Sequence, residues 1–270
     1  MSARPRPVLQ AHGLALRYAQ APADVFQDVD LVLDRGEVVA VLGASGAGKS
    51  SLLRVLAGLQ PASAGTLLME GEPLAGVHPR VAVAFQDPGL LPWLSLERNV
   101  AFGLDFTHQP RLSAAERRLR IDQAIDEVGL SHARHLRPAQ LSGGMAQRTA
   151  LARCLARQPA VLLLDEPFGA LDEVTRGDMQ ALLRQVVADF HTAAVLITHD
   201  IDEALLLADR IVLLGGAPGR ILGVWPVDLP QPRADLLSEM GALRLEILTR
   251  LRDALRVARG QAAKESIDVP

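Results

Sequence analysis

A chain of 270 residues, 49% of them apolar, has material for one large α/β domain and a smaller lobe. A formal net charge of −3 without a basic block, and an aromatic share of 3%, disfavour nucleic acid as a partner, because phosphate neutralisation needs clustered Lys and Arg and base stacking needs aromatic rings. The single cysteine, Cys154, excludes an intrachain disulfide framework and a Cys-rich zinc site.

The first residues, MSARPRPVLQ, hold two prolines and no apolar run, so no secretory signal is expected. In DVDLVL, Val29, Leu31 and Leu33 alternate with Asp28, Asp30 and Val32, the pattern of a half-buried strand. After Glu37, Val38–Leu42 is a continuous apolar run before a glycine-rich loop, as in a fully buried parallel strand. SSLLRVLAGL follows as a helix closed by Gly58 and Pro61. Short strands are predicted at Thr66–Met69 and Val81–Phe85. The middle of the chain reads as helical, with Ser113 and Glu116 forming a capping box ahead of Leu119, Ile121, Ile125 and Val128. Cys154 lies in the helical pattern AQRTALARCLARQ, where a small buried thiol is expected.

From Val161 strands and helices alternate: VLLLD, a helix over DEVTRGDMQALLRQVVADF, the strand AAVLIT, the helix IDEALLLA and the strand RIVLL. Such alternation with apolar strands predicts a parallel sheet covered by helices. After Pro232, Met240, Leu243, Ile247, Leu248, Leu251 and Leu255 recur at helical spacing, an amphipathic helix expected to pack on the domain, and QAAKESIDVP is expected to fray. The division expected is one large domain at 1–232, with a helical lobe at about 87–158, and an amphipathic helix with a frayed tail at 233–270. No apolar run approaches the ~20 residues of a membrane-spanning helix. A cytoplasmic protein is expected, with any membrane role exercised through a partner.

The glycine-rich loop, Gly43, Ala44, Ser45, Gly46, Ala47, Gly48, Lys49 and Ser50, fits G-x-x-x-x-G-K-[ST] and continues into Ser51. It follows a buried strand and opens a helix, the context in which backbone N–H groups and the helix dipole hold phosphate oxygens. Lys49 is placed to reach the β- and γ-phosphates of a nucleotide and the Ser50 hydroxyl to ligate Mg²⁺. The apolar strand in VLLLDE is closed by Asp165 and Glu166, a Walker B pattern. Asp165 is the candidate metal carboxylate, and Glu166 the candidate for polarising the attacking water. This much describes a P-loop NTPase; a kinase, a GTPase or a helicase would still fit.

LSGGMAQR at 141–148 narrows the choice. Ser142, Gly143 and Gly144 precede a helix and form a second anion-binding helix N-terminus, which makes sense if it serves the nucleotide of another subunit. On this segment the chain resembles the ATP-binding-cassette (ABC) family, whose signature is LSGG. The resemblance runs over roughly residues 8 to 230. It implies an ABC ATPase core with a mostly parallel sheet, an N-terminal antiparallel β subdomain and a helical signature lobe. It also implies that Tyr18 stacks on adenine, that Gln86 is the Q-loop glutamine contacting the metal and the reaction centre, that Asp172 in Ala170-Leu171-Asp172 belongs to the D-loop, and that His199 in LITHD is the switch histidine at the γ-phosphate. Two copies would pack head to tail, each ATP and its Mg²⁺ lying between Gly43–Ser51 of one and Ser142–Gly144 of the other. The fifth signature position is Met145 where the family often has glutamine, while Gln147 and Arg148 fit the pattern.

FQDPGLLPWLSLERNVAFGL, ITHDIDEALLLADRIVLL, APGRI and DLPQPR together resemble the nitrate/sulfonate/taurine-type importer ATPases. The implied partners are transmembrane permease subunits, received near Leu90, Leu91, Trp93 and Leu96, and indirectly a periplasmic or extracellular solute-binding protein. The implied place is the cytoplasmic face of the membrane. Aliphatic sulfonate or taurine is the first expectation for the solute, and nitrate or a thiamine precursor the second. The rival class is a soluble, non-transport ABC ATPase, which would usually carry a coiled-coil insertion or a second cassette, and neither is present in this sequence.

Overall fold

The computed structural model describes residues 7–233, 236 and 238–265, and the chain divides into two compact units, residues 1–76 with 195–270, and residues 77–194. In chain order the first unit opens with β1 (Leu9–Leu16) and β2 (Phe26–Leu33). Val29, Leu31 and Leu33 of β2 are buried, Val32 is half-buried, and Asp28 and Asp30 are exposed, as the alternation requires. β3 (Val38–Leu42) is buried at every residue and leads through the glycine loop into α1 (Lys49–Leu56). β4 (Ala64–Met69) and β5 (Glu72–Pro73) complete a four-stranded antiparallel sheet in the order β2-β1-β4-β5.

The second unit begins with β6 (Val81–Ala84), followed by α2 (Leu96–Ala101), α3 (Ala114–Glu127) and α4 (Gly143–Leu155). β7 (Val161–Asp165) pairs in parallel with β6, Val81 facing Val161 and Ala84 facing Leu164, and α5 (Glu173–Phe190) follows. The capping box forms as predicted: Glu116 N donates to Ser113 Oγ at 3.2 Å, and Ser113 N to Glu116 Oε2 at 2.9 Å. The buried stripe of α3 is Ile121, Ala124 and Ile125, continued by Val128. Leu119, expected with them, is exposed: two residues before Ile121 is about 200° around a helix, on the opposite face. Cys154 is buried as expected, and burial pushes its thiol up to about 11.

β8 (Ala193–Ile197) carries the chain back into the first unit, where α6 (Ile201–Leu207), β9 (Arg210–Gly215), β10 (Arg220–Pro226) and α7 (Gly241–Glu265) follow. β9 pairs in parallel with β3 and antiparallel with β10. β10 has no counterpart among the sequence-derived elements, because RILGVWP lacks apolar alternation. The strand is set by its ladder to β9 and by Trp225, whose ring fills the space beside Gly223. Arg233, inside DLPQPR, is almost fully buried and donates to the carbonyls of Leu229, Leu205, Ala208 and Val227, which pins that segment to the end of α6.

The tail helix packs as its periodicity requires: Met240 and Ile247 are buried, while Leu243, Leu248, Leu251 and Leu255 are half-buried. Trp225 Nε1 donates to Glu246 at 2.7 Å, and Arg244 pairs with Asp202 in the first turn of α6. α7 extends to Glu265, into the segment expected to fray; residues 266–270 and the first six lie outside the described residues. Among the described residues no helix is long and apolar enough to cross a membrane.

Candidate functional site

In the first unit the site is built on the loop between β3 and α1. Gly46 and Gly48 hold φ of 83° and 90°, a left-handed conformation that costs little only without a Cβ and that turns successive N–H groups inward. Gly48 is also the N-cap of α1 and offers no side-chain cap, so the first N–H groups of the helix are not satisfied by a side chain of the cap residue. At Gly43 the constraint is steric: a Cβ there would fall within 3.0 Å of the Leu214 carbonyl oxygen of β9. Lys49, 7% exposed, folds back across the loop and donates to the carbonyls of Gly43 at 2.8 Å and Ala44 at 3.0 Å. Ser45, Gly46 and Ser50 are exposed, Ala44 is half-buried and Ala47 buried. The loop therefore presents N–H groups, a cation and a hydroxyl together, the donor set a polyphosphate requires.

Two more expected residues join this unit. Tyr18, 38% exposed, has its hydroxyl 3.2 Å from Ser51 Oγ, which ties it to the first turn of α1. Thr198 N donates to Val41 O at 3.3 Å, so the exposed His199 leaves β8 beside the end of β3, from which the glycine loop springs. Asp200 follows as the N-cap of α6, accepting from Asp202 N at 2.8 Å and Glu203 N at 3.2 Å. Those cap bonds fix the backbone next to His199.

The second unit gathers the remaining residues. Asp165 ends β7, and Glu166 follows with φ of 46°, a conformation that costs a non-glycine residue about 1–2 kcal/mol. Gly169 N donates to Glu166 O at 3.3 Å, closing a turn. Asp172 is the N-cap of α5, accepting from Thr175 N at 3.0 Å and Thr175 Oγ1 at 2.8 Å. The Thr175 backbone N–H, and then its hydroxyl, hold the Asp172 carboxyl below the ordinary range. Ser142 is the N-cap of α4, its Oγ accepting from Met145 N at 3.2 Å, with Gly143 exposed beside it. A Cβ on Gly144 would strike Thr175, so this glycine lets the N-terminus of α4 lie against the capped first turn of α5. Gln86 lies two residues beyond the end of β6 rather than ending the strand, and its amide nitrogen is 3.6 Å from where a Cβ on Gly169 would sit.

Three residues that organise this second cluster carried no assigned role in the sequence. Gln147 Nε2, buried on α4, donates to Pro167 O at 2.8 Å and Gln86 O at 3.1 Å. Arg153 donates to Pro88 O at 2.7 Å and Gly89 O at 2.9 Å. The fully buried Asn99 holds the loop before α2, accepting from Leu91 N and donating to the carbonyls of Leu91, Leu94 and Ser95. The available signal was polar side chains on helix faces whose spacing demands burial.

Residues 26–169 match the ABC transporter family. This chain belongs to that family. The aliphatic sulfonates import ATP-binding protein SsuB 1 of Xanthomonas axonopodis pv. citri is 45% identical over 87% of this chain and 92% of that protein. The nitrate transport protein NasD of Klebsiella oxytoca is 41% identical over 84% and 88%. Among solved structures, the dimeric post-hydrolysis state of the cassette MJ0796, bound to ADP and Pi, superposes with a TM-score of 0.70 at 28% identity, covering 82% of this chain and all of that one. The fold is the ABC ATPase fold, and the protein is the ATP-binding, ATP-hydrolysing subunit of an ABC importer. The glycine loop fits ATP on the structure's own terms, through two left-handed glycines, an uncapped helix N-terminus and a lysine folded over the loop mouth.

Proposed function

We propose that this ABC subunit energises uptake of a small oxyanion solute, an aliphatic sulfonate such as taurine, and that it works as a homodimer with two shared ATP sites. The observation that carries the shared site is a second glycine-rich helix start: Ser142–Gly144 opens α4 as Gly43–Ser51 leads into α1, and such N-termini favour anions. One triphosphate needs a single P-loop, so the second cradle serves the nucleotide held by the other copy. The dimeric MJ0796 structure supports this arrangement.

Within each site Lys49 and the loop N–H groups hold the phosphates, and Tyr18 stacks on adenine. Ser50, Gln86 and Asp165 are oxygen donors of the kind Mg²⁺ takes, and Mg²⁺ would neutralise phosphate charge. Glu166 polarises the hydrolytic water, His199 contacts the γ-phosphate, and Asp172 links the two sites. Permease subunits dock on the lobe around 87–106, where Trp93 is 68% exposed and Phe102 and Phe106 are exposed beside the groove lined by Leu94, Arg98 and Ile121. That docking places the protein at the cytoplasmic face of the membrane, with a solute-binding protein acting on the permease from the other side.

Replacing Glu166 by Gln should leave ATP binding intact and lower turnover by at least ~10²-fold, as expected for a lost base. Ser142→Arg should bind ATP in the P-loop yet fail to dimerise, and a Ser142→Arg protein that dimerises with ATP and hydrolyses it normally would remove the shared site. Likeness to SsuB 1 supports the sulfonate reading, and likeness to NasD supports nitrate as the second. Uptake of labelled taurine, alkanesulfonates and nitrate in a deletion strain decides between them; unimpaired sulfonate uptake would overturn the first.

A further inference from the structure

We infer that Gln147 is a positioning residue for hydrolysis, acting through the Glu166–Pro167 turn rather than on the nucleotide. The inference rests on the role of Glu166 proposed above. Both partners of the Gln147 amide are carbonyl oxygens, so only its NH₂ group can meet them, and the side chain can take one orientation. That leaves Oε1 buried without a hydrogen-bond partner among the described residues. The surroundings are apolar: Ala84, Ala150, Leu151, Leu164 and Phe168 line the same small cavity. A side chain serving only to fill that space would be better apolar, because it would bring no buried polar atom of its own to be left unpaired. What an amide adds at this position is the grip on two carbonyls.

Those two carbonyls belong to chemically placed residues. Pro167 follows Glu166 directly, and Gln86 carries the Q-loop side chain. Glu166 holds a left-handed φ, which a non-glycine residue keeps only where its surroundings over-determine it. Upstream the restraint is the β6–β7 ladder, in which Leu164 faces Ala84. Downstream the restraints are the Gly169–Glu166 turn and the bond from Gln147. Gln147 is also 6% exposed on the helix whose N-terminus is Ser142–Gly144. One rigid helix thus carries the signature cradle at its start and grips the catalytic turn just over one turn later. Displacing the cradle moves the restraint on Glu166, so the signature segment and the hydrolytic base of one subunit shift together.

The test uses the full-length chain with the permease that accompanies it on purification. Gln147→Leu, Gln147→Glu, Glu166→Gln and the Gln147→Leu/Glu166→Gln pair are compared for kcat, KM and melting temperature between pH 6 and 8. Gln147→Leu should lower kcat roughly 10- to 100-fold, the scale of a misplaced reacting group, with KM and ATP affinity within about twofold because the phosphate loop is untouched. In the Glu166→Gln background the same change should cost no more than about twofold, since both act on one element. Gln147→Glu sets a carboxylate against two carbonyls at pH 8 but donates one hydrogen bond when protonated, so its deficit in kcat should narrow as pH falls to 6. A Gln147→Leu protein with wild-type kcat, a loss shared equally by affinity and melting temperature, a pH-independent Gln147→Glu deficit, or failure of both variants to fold would each overturn the positioning role. Wild-type turnover by Glu166→Gln would instead remove the base itself, and the inference with it.

Discussion

Two glycines of the phosphate loop should fail differently when given a methyl group. Gly43 is not in the left-handed region, but its Cβ would fall within 3.0 Å of the Leu214 carbonyl oxygen. That oxygen is backbone of β9, in the parallel ladder to β3, and cannot swing aside. The loop itself must move, and the Gly43 carbonyl that receives Lys49 Nζ at 2.8 Å moves with it. Overpacking of this kind costs about 1–3 kcal/mol, and an immovable obstacle puts Gly43→Ala near the upper end. Gly46 has open space around its Cβ position but holds φ at 83°, so Gly46→Ala costs only the left-handed backbone, about 1–2 kcal/mol. At about 2 °C per kcal/mol for a chain of this size, Gly43→Ala should melt roughly 6 °C lower and Gly46→Ala roughly 2–4 °C lower. Differential scanning fluorimetry reads the first quantity and titration with a fluorescent ATP analogue the second. ATP affinity should fall at least ~10-fold for Gly43→Ala, because the lysine is displaced as well as the loop, a loss of about 1.4 kcal/mol in binding. A Gly43→Ala protein that melts within about 1 °C of wild type and binds ATP as tightly would refute the steric argument, as would a larger loss at Gly46.

Asn99→Leu removes an amide that holds one N–H and three carbonyls of the loop before α2 and should destabilise by about 2–4 kcal/mol; limited proteolysis should then cut first within residues 86–98, and an unchanged digestion pattern would argue against it. Cys154, buried with its thiol at about 11, should resist a thiol reagent at pH 8 in the folded protein and react at once in denaturant; fast labelling of the native chain would show that the site opens. The Asp172 carboxyl is held low by its cap bonds, so its contribution is present above the ordinary carboxylate range and is lost as pH falls through the folded value. The melting-temperature gap between wild type and Asp172→Ala should therefore be constant near neutrality and shrink below about pH 4; a gap that widened in acid would reverse the sign of the argument.

Contiguous features were legible in the sequence because their physics is local. The glycine loop needs only its own residues and two flanking elements, the Ser113–Glu116 box spans one turn, and β2 and β3 show their burial as alternation and as an unbroken apolar run. LSGG marked the start of a helix for the same reason, and α4 begins there. Features resting on distant partners were illegible. β10 exists through its ladder to β9 and through Trp225 lying over Gly223. Asn99 and Arg233 have partners that only the folded loops supply, the carbonyls of Leu91, Leu94 and Ser95 for one and of Leu205, Ala208, Val227 and Leu229 for the other. Gln147 was visible as part of a pattern, yet nothing in LSGGMAQR says that its amide meets carbonyls 20 and 61 residues away.

The family, the glycine loop and the chain order of the candidate site residues are written in the sequence, since each lies within a short window where backbone conformation and hydrogen bonding depend on near neighbours. How the loops bearing Gln86 and Glu166 are held is settled by the packing, because a buried hydrogen bond is specified by which backbone groups the fold brings within hydrogen-bonding reach, and that is a property of the folded chain.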